Sequence, residues 1–161
     1  MASPARALPG AHVPRIVPIL NPLVRRLMGA GLPFGPNVLL TVRGRTSGLA
    51  RTFPVALMES HGRRFVQSPY GEVNWVRNLR ADGEAVLTRG RQRDRVVAVE
   101  LTPEVAGPLL HDAVAPYLRS RLAAPFVRLF VPLRRDATIE DCIAHARHHP
   151  VFELLPLPLE D

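Results

Sequence analysis

The sequence predicts an α+β domain, an antiparallel β-barrel of about six strands decorated by helices. Three observations carry this reading. Short apolar, β-branched runs come in pairs joined by polar turns, as hairpins do. Helix-period segments lie between and after those pairs without alternating regularly with the strands, which argues against a doubly wound parallel sheet. The 161 residues are 47% apolar and 22% charged, enough for one domain with a genuine core.

The elements follow in order. Residues 1–13, rich in Ala, Pro and Arg, read as a loose tail, and residues 14–161 as one domain. Asn21-Pro22 is a helix start, a cap followed by proline in the first turn. Leu20, Leu23, Val24 and Leu27 then share a face, Arg25 and Arg26 lie opposite, and Gly29 and Gly31 end the helix. Its apolar stripe is expected to pack on the core; a peripheral membrane contact through residues 14–29 is the alternative. Prolines and arginines break the amino-terminal region too often for a signal peptide or spanning helix, so the expected location is the cytoplasm or the inner face of the membrane.

From Val38 the period changes. "VLLTVR" and "RTFPVALME" read as strands around a glycine-arginine loop, and "SHGR" turns the chain into a third strand, "RFVQS". "EVNWVRNLRA" has helical spacing, with Val73, Trp75, Val76 and Leu79 inward and Asp82-Gly83 as its end. "EAVLTRG" and "DRVVAVEL" form another hairpin over the tip "RQR". Thr102-Pro103 opens a helix toward Leu118, and the apolar-basic stretch "LAAPFVRLFV" follows. Thr138 and Asp141 have capping-box spacing before "IEDCIAHARHH", and "VFELL" is the last strand.

Composition narrows the function. All 21 basic residues are arginine against 14 acidic ones, a net charge of +7 that favours anionic partners. Nucleic acid is not among those expected: the arginines are scattered, aromatics make up 6%, and no helix-turn-helix, zinc-knuckle or RNP pattern occurs. Cys142 is the single cysteine, which excludes an internal disulfide and reads as a small buried hydrophobe. His145 and His149 are four apart but lack a glutamate between them or a cysteine at ligand spacing. They read as a solvated face near a helix C-terminus, and no metal site is predicted. Phosphate-loop, dinucleotide-fold and nucleophile-elbow motifs are missing.

The stretch "GRTSGLARTFPV", Gly44–Val55, is the best candidate for chemistry. Glycines let the backbone turn and bring amides close to a ligand, and arginines supply forked donors to phosphate or carboxylate. Arg51 lies just past the turn, at the base of a strand that would hold it in place. On spacing alone, a surface hairpin tip and an anion cradle stay equally open.

The wider pattern adds a family. Leu39-Leu40, Gly44-Arg45-Thr46-Ser47-Gly48, Arg51 and Pro54, followed by Ser68, Gly71, Trp75 and Asn78-Leu79, resemble the deazaflavin (F420)-dependent nitroreductase and quinone-reductase family. Its members are small split β-barrels related to the FMN-binding barrels. The likeness spans about Val38 to Leu101, with "HPVFEL" more loosely alike, and departs at Thr46, where the family commonly has lysine. The resemblance implies that Arg45, Thr46, Ser47, Gly48 and Arg51 hold the phosphate and acidic tail of coenzyme F420. It implies that Pro54, Val55 and Ala56 line the ring with backbone, and that Ser68, Pro69, Tyr70 and Gly71 border the reactive face. Ser68 and Tyr70 would be the proton donors, and Trp75, Asn78 and Leu79 the pocket wall. The implied activity is hydride transfer from reduced F420 to an electron-poor acceptor: a quinone, enone or nitro compound. A non-catalytic carrier of F420 or lipid, and an FMN-binding oxidoreductase of the same barrel, are the alternatives.

Overall fold

A computed structural model of the protein describes residues 38–157. The expected tail and the amphipathic segment at residues 14–29 lie outside the described residues. Among the described residues there are seven strands: β1 (Val38–Arg43), β2 (Ala50–Val55), β3 (Leu57–Ser60), β4 (Arg63–Gln67), β5 (Glu84–Arg89), β6 (Gln92–Glu100) and β7 (Val151–Pro156). Helices are α1 (Asn74–Asp82), α2 (Pro103–Arg119), α3 (Ala124–Val127) and α4 (Ile139–Ala146). Every strand pairing is antiparallel, in the order β2-β1-β5-β6-β7-β4-β3.

That order forces the sheet to curl. Laid flat, seven strands would hold their two edges about 29 Å apart. Yet β2 and β3 are those edges, and only Ala56 separates them in the chain. Val55 and Leu57 can stand no more than about 7 Å apart. The edges therefore meet at Ala56, and the sheet rolls into the split barrel that the sequence predicts. The single strand expected over residues 51–59 is in fact two, which raises the strand number from about six to seven. Pro54 is tolerated because β2 is an edge, where a residue without an N–H interrupts no ladder on its open side.

Alternation along the strands makes two cores, one on each face of the sheet. In β4, Val66 points into the barrel with Leu40, Trp75, Leu79 and Phe152. Its neighbour Phe65 points outward, onto Leu110, Val114, Cys142 and Val151 under α2 and α4. Gly107 lets those two helices touch: a Cβ added there would stand 2.3 Å from Ile143 Cγ1. Across β4 and β7, Arg63 forks onto Glu153, at 2.7 Å from Nε and 2.6 Å from Nη2.

Local signals set the boundaries. Gly83 closes α1 in the left-handed region, φ 75°, its N–H bonded to the Leu79 carbonyl. Thr102 precedes Pro103 at the start of α2. Thr138 and Asp141 exchange both bonds of a capping box before α4. Gly90, φ 59°, turns the β5–β6 hairpin within two residues, so β6 starts at Gln92, earlier than expected.

Candidate functional site

The loop between β1 and β2 is a tight turn closed on itself. Gly44 donates its N–H to the Leu49 carbonyl at 2.8 Å, and Gly48 donates back to Gly44 at 2.8 Å. Ser47 Oγ accepts from the Leu49 N–H at 3.3 Å. A Cβ on Gly44 would stand 2.7 Å from that hydroxyl, and Gly48 sits at φ +66° with open space around it. The first glycine is needed for close approach, the second for its backbone angle.

The loop is anchored by the helix that follows β4. Asn78, almost fully buried on α1, accepts the Arg45 backbone N–H at 3.3 Å and the Arg45 guanidinium at 2.8 Å, both on Oδ1. Because the partner is neutral, Arg45 keeps its full charge. Arg43 stands 4.0 Å from Asp82, and Arg51 makes no ion pair among the described residues. Strand register explains the position of Arg51. Val38, Leu40 and Val42 face the barrel interior, and across from them stand Val55, Phe53 and Arg51. Arg51 therefore occupies the rim of the inward face, its head exposed beyond the last core layer. Residues 1–58 hold seven of the 21 arginines and none of the 14 acidic residues, so the whole excess of +7 lies in that part of the chain.

A second turn, Ser68 to Gly71, leads into α1. Ser68 is fully buried, and its hydroxyl donates to the Gly71 carbonyl. That proton is therefore engaged in the turn itself. Tyr70 is half-buried, and burial raises its phenol above the ordinary value. Trp75 and Leu79 lie in the barrel core, Trp75 with its ring 6.2 Å from that of Phe152. One helix holds both turns: α1 follows the Ser68–Gly71 turn within three residues, and Asn78 is about 6 Å along its axis from Asn74. The two segments named from the sequence are thus tied to one rigid element.

Histidines of α4 and of the turn after it brace this turn. Gln67 Nε2 donates to the Phe130 carbonyl at 2.9 Å, which leaves its Oε1 to accept from His145 Nε2 at 3.0 Å. His149 Nδ1 donates to the Ser68 carbonyl at 3.1 Å, and the two imidazoles stack at 4.0 Å. Burial pushes His145 down to about 4, with His149 and His148 adding to the shift, and burial lowers His149 as well. This corrects the expectation of a solvated, charged face: the pair is half-buried and neutral at neutral pH. Their i, i+4 spacing was visible in the sequence, but Gln67, which receives His145, and the Ser68 carbonyl, which receives His149, carried no signal. Among the described residues no three His, Cys, Asp or Glu side chains gather as metal ligands, and no helix is long and apolar enough to cross a membrane.

Comparison with known proteins adds a family and a fold. A family model described as F420H(2)-dependent quinone reductase matches residues 22–117, which span both turns and α1. No curated protein matches the chain. Among solved structures, one described as a domain-swapped dimer is 20% identical over 83% of this chain and 94% of its own, with a TM-score of 0.50. The protein Atu2129 from Agrobacterium tumefaciens str. C58, of unknown function, is 17% identical over 95% of this chain and 60% of its own, with a TM-score of 0.52. An F420-H2 dependent reductase, FDR-A, is 22% identical over 73% of this chain and 91% of its own, with a TM-score of 0.48. At such identities the likeness is one of fold.

Proposed function

The chain belongs to the F420H2-dependent quinone reductase family, and from that membership we propose that its acceptor is a quinone or a similarly electron-poor enone or nitro compound. The protein is an F420-dependent oxidoreductase, and its acceptor is a small molecule. When bound, reduced F420 supplies a hydride, two electrons in one transfer. The chain's own residues have three tasks: to hold the coenzyme, to keep water away and to deliver a proton.

The residues present fit a polyanionic coenzyme. Thr46 and Ser47 on the loop and Arg51 just past it are exposed donors, and among the described residues no ion pair to an acidic side chain engages Arg45 or Arg51. We assign the acidic tail to Arg45, Thr46, Ser47, Gly48 and Arg51. The open edge of β2, with Pro54, Val55 and Ala56, offers unpaired backbone groups to the ring. Asn78 fixes the loop, and Trp75 and Leu79 support the wall from behind. This reading rests above all on Arg51, an exposed arginine that stands at the rim of an apolar barrel and makes no ion pair among the described residues.

Once an acceptor has taken a hydride it is an anion and needs a proton. Tyr70 is the donor we favour for its place, a half-buried phenol on the turn that leads into α1; tyrosine is protonated at neutral pH in any case, and burial moves it further up. Ser68 shapes the turn that presents it, and Pro69 and Gly71 complete that turn. The test is a titration of the full-length protein with F420 and with FMN, followed by quinone, enone and nitro acceptors offered with reduced F420. Tighter binding of F420 and turnover of at least one acceptor class are expected. Tighter binding of FMN would overturn the cofactor assignment, and F420 binding without any turnover would make the protein a carrier.

A further inference from the structure

Residues 120–131 expose apolar side chains where a helix normally turns polar ones to water. Successive helical turns, Ala124 N–H to Ser120, Val127 to Ala123, Arg128 to Ala124 and Val131 to Val127, run through α3 and beyond it. At about 100° per residue, Ala124, Val127 and Val131 fall on one side; Ala124 is buried, and Val127 and Val131 pack into the outer core. Leu122 and Leu129 fall on the opposite side, 86% and 68% exposed, and Tyr117 at the end of α2 is 56% exposed. Between Asp112 and Asp136 the chain has five arginines and no acidic residue. Arg119, Arg121, Arg128 and Arg135 make no ion pair among the described residues. Arg119 and Arg135 also line a cleft of about 680 Å³ beside this segment.

We propose that this outward apolar stripe with its arginines is a docking surface for an anionic lipid membrane. Apolar side chains flanked by arginine are the chemistry of an interfacial helix, which buries its stripe among acyl chains and sets its cations at the headgroups. Charge argues against the other occupants. A second copy meeting the same face would set arginine against arginine across a two-fold axis. Residues 1–37 carry four arginines and no acidic residue, so they too would be repelled. The proposal is independent of the coenzyme site, since none of these residues belongs to it.

The test is flotation of the full-length protein with phosphatidylcholine vesicles, with and without phosphatidylglycerol. The unmodified protein should float with the anionic vesicles alone and be released by salt. Leu122→Glu with Leu129→Glu should reduce flotation roughly tenfold or more, and Arg121→Ala with Arg128→Ala should do the same. Leu155→Glu, an exposed apolar residue on β7, should change nothing. A circular-dichroism melt establishes that each variant folds, and the arginine pair decides the matter if the glutamate pair does not. Retained flotation in a folded arginine variant overturns the proposal. So does a failure of the unmodified protein to float, or a dimer that the substitutions split. Turnover of a water-soluble acceptor should be unchanged throughout, which separates this result from the reductase reading.

Discussion

Asn78 and Arg45, 33 residues apart, are joined through one oxygen: Asn78 Oδ1 accepts both the backbone N–H and the guanidinium of Arg45. The bond ties the β1–β2 loop to α1. It gives a physical reason for Gly-Arg and Trp-x-x-Asn-Leu to occur in one chain. The tryptophan and leucine bury the helix, and the asparagine between them reaches back to hold the arginine.

Asn78→Ala should therefore loosen the loop and lower stability together. A hydrogen bond to a charged group contributes about 1.5–3 kcal/mol, and a thermal melt should show a loss of that order. F420 affinity should fall several-fold as the loop loses its anchor. Asn78→Asp separates the two effects. Its carboxylate can still accept both bonds, so the fold should hold, but it neutralises Arg45 and should still weaken F420 binding. Equal F420 affinity in Asn78→Asp and the unmodified protein would show that the Arg45 charge is not used.

Gly107→Ala should destabilise, against the usual rule. Inside a helix, alanine in place of glycine normally stabilises by about 0.5–1 kcal/mol. Here the new Cβ would meet Ile143 Cγ1 at 2.3 Å and the Ile143 backbone nitrogen at 2.9 Å. The backbone cannot yield as a side chain can, so α2 and α4 must separate. A loss of about 1–3 kcal/mol in urea unfolding is expected. A variant as stable as the parent would mean that the helices pack less closely than they do in this structure.

Much of this architecture was legible because its signals are local. Gly83 and the Thr138–Asp141 box fix helix ends through bonds a few residues long, and Pro103 marks the start of α2 by its fixed backbone angle. What could not be read depends on distant partners. Nothing near Ala56 says that the chain leaves β1 and pairs onward with β4. His145 and His149 look like surface residues until Gln67 and Ser68, 78 and 81 residues away, arrive beside them. Trp75 belongs equally to a pocket wall or a core by spacing, and Phe152 from the last strand decides for the core. The loop was legible as glycine and arginine, but its anchor on Asn78 was not.

The buried histidines predict a stability that falls with acid. The unfolded imidazole of His145 titrates near 6.5 and the folded one at about 4, so the unfolded chain binds more protons between these values. The contribution is present in full above about 6.5 and is lost progressively as pH falls toward 4. At about 1.4 kcal/mol per unit, it amounts to at most about 3–4 kcal/mol. His145→Gln keeps a donor for Gln67 but cannot titrate, and should flatten the melting temperature across this window. An unchanged slope in that variant would place the acid sensitivity elsewhere.

Tyr70→Phe tests proton delivery. Removing the hydroxyl should leave F420 affinity unchanged and lower turnover about a hundredfold, the usual contribution of a positioned acid. Ser68→Ala should instead lower stability, because the Gly71 carbonyl loses its donor. Undiminished turnover in a folded Tyr70→Phe variant would assign the proton to solvent.

Arg51 gives the sharpest test of the cradle. Its strand places it above Val42 on the inward face, and no acidic side chain among the described residues holds its guanidinium. A charged hydrogen bond of about 1.5–3 kcal/mol corresponds to roughly ten- to hundredfold in affinity. Arg51→Ala should weaken F420 binding by that factor in a fluorescence titration. Arg51→Lys should recover only part of it, since a point charge cannot reproduce a planar fork. Stability should hardly change, because Arg51 is exposed and makes no ion pair among the described residues. The comparison needs an arginine that is free in the same sense. Arg63 is not, since it forks onto Glu153, whereas Arg91 at the β5–β6 tip is exposed and makes no ion pair among the described residues. Arg91→Ala should leave the titration unchanged, and raised salt should narrow the gap between the two variants as it screens exposed charge. If both substitutions have the same small effect, the loop is an ordinary hairpin tip and the acidic tail is held elsewhere.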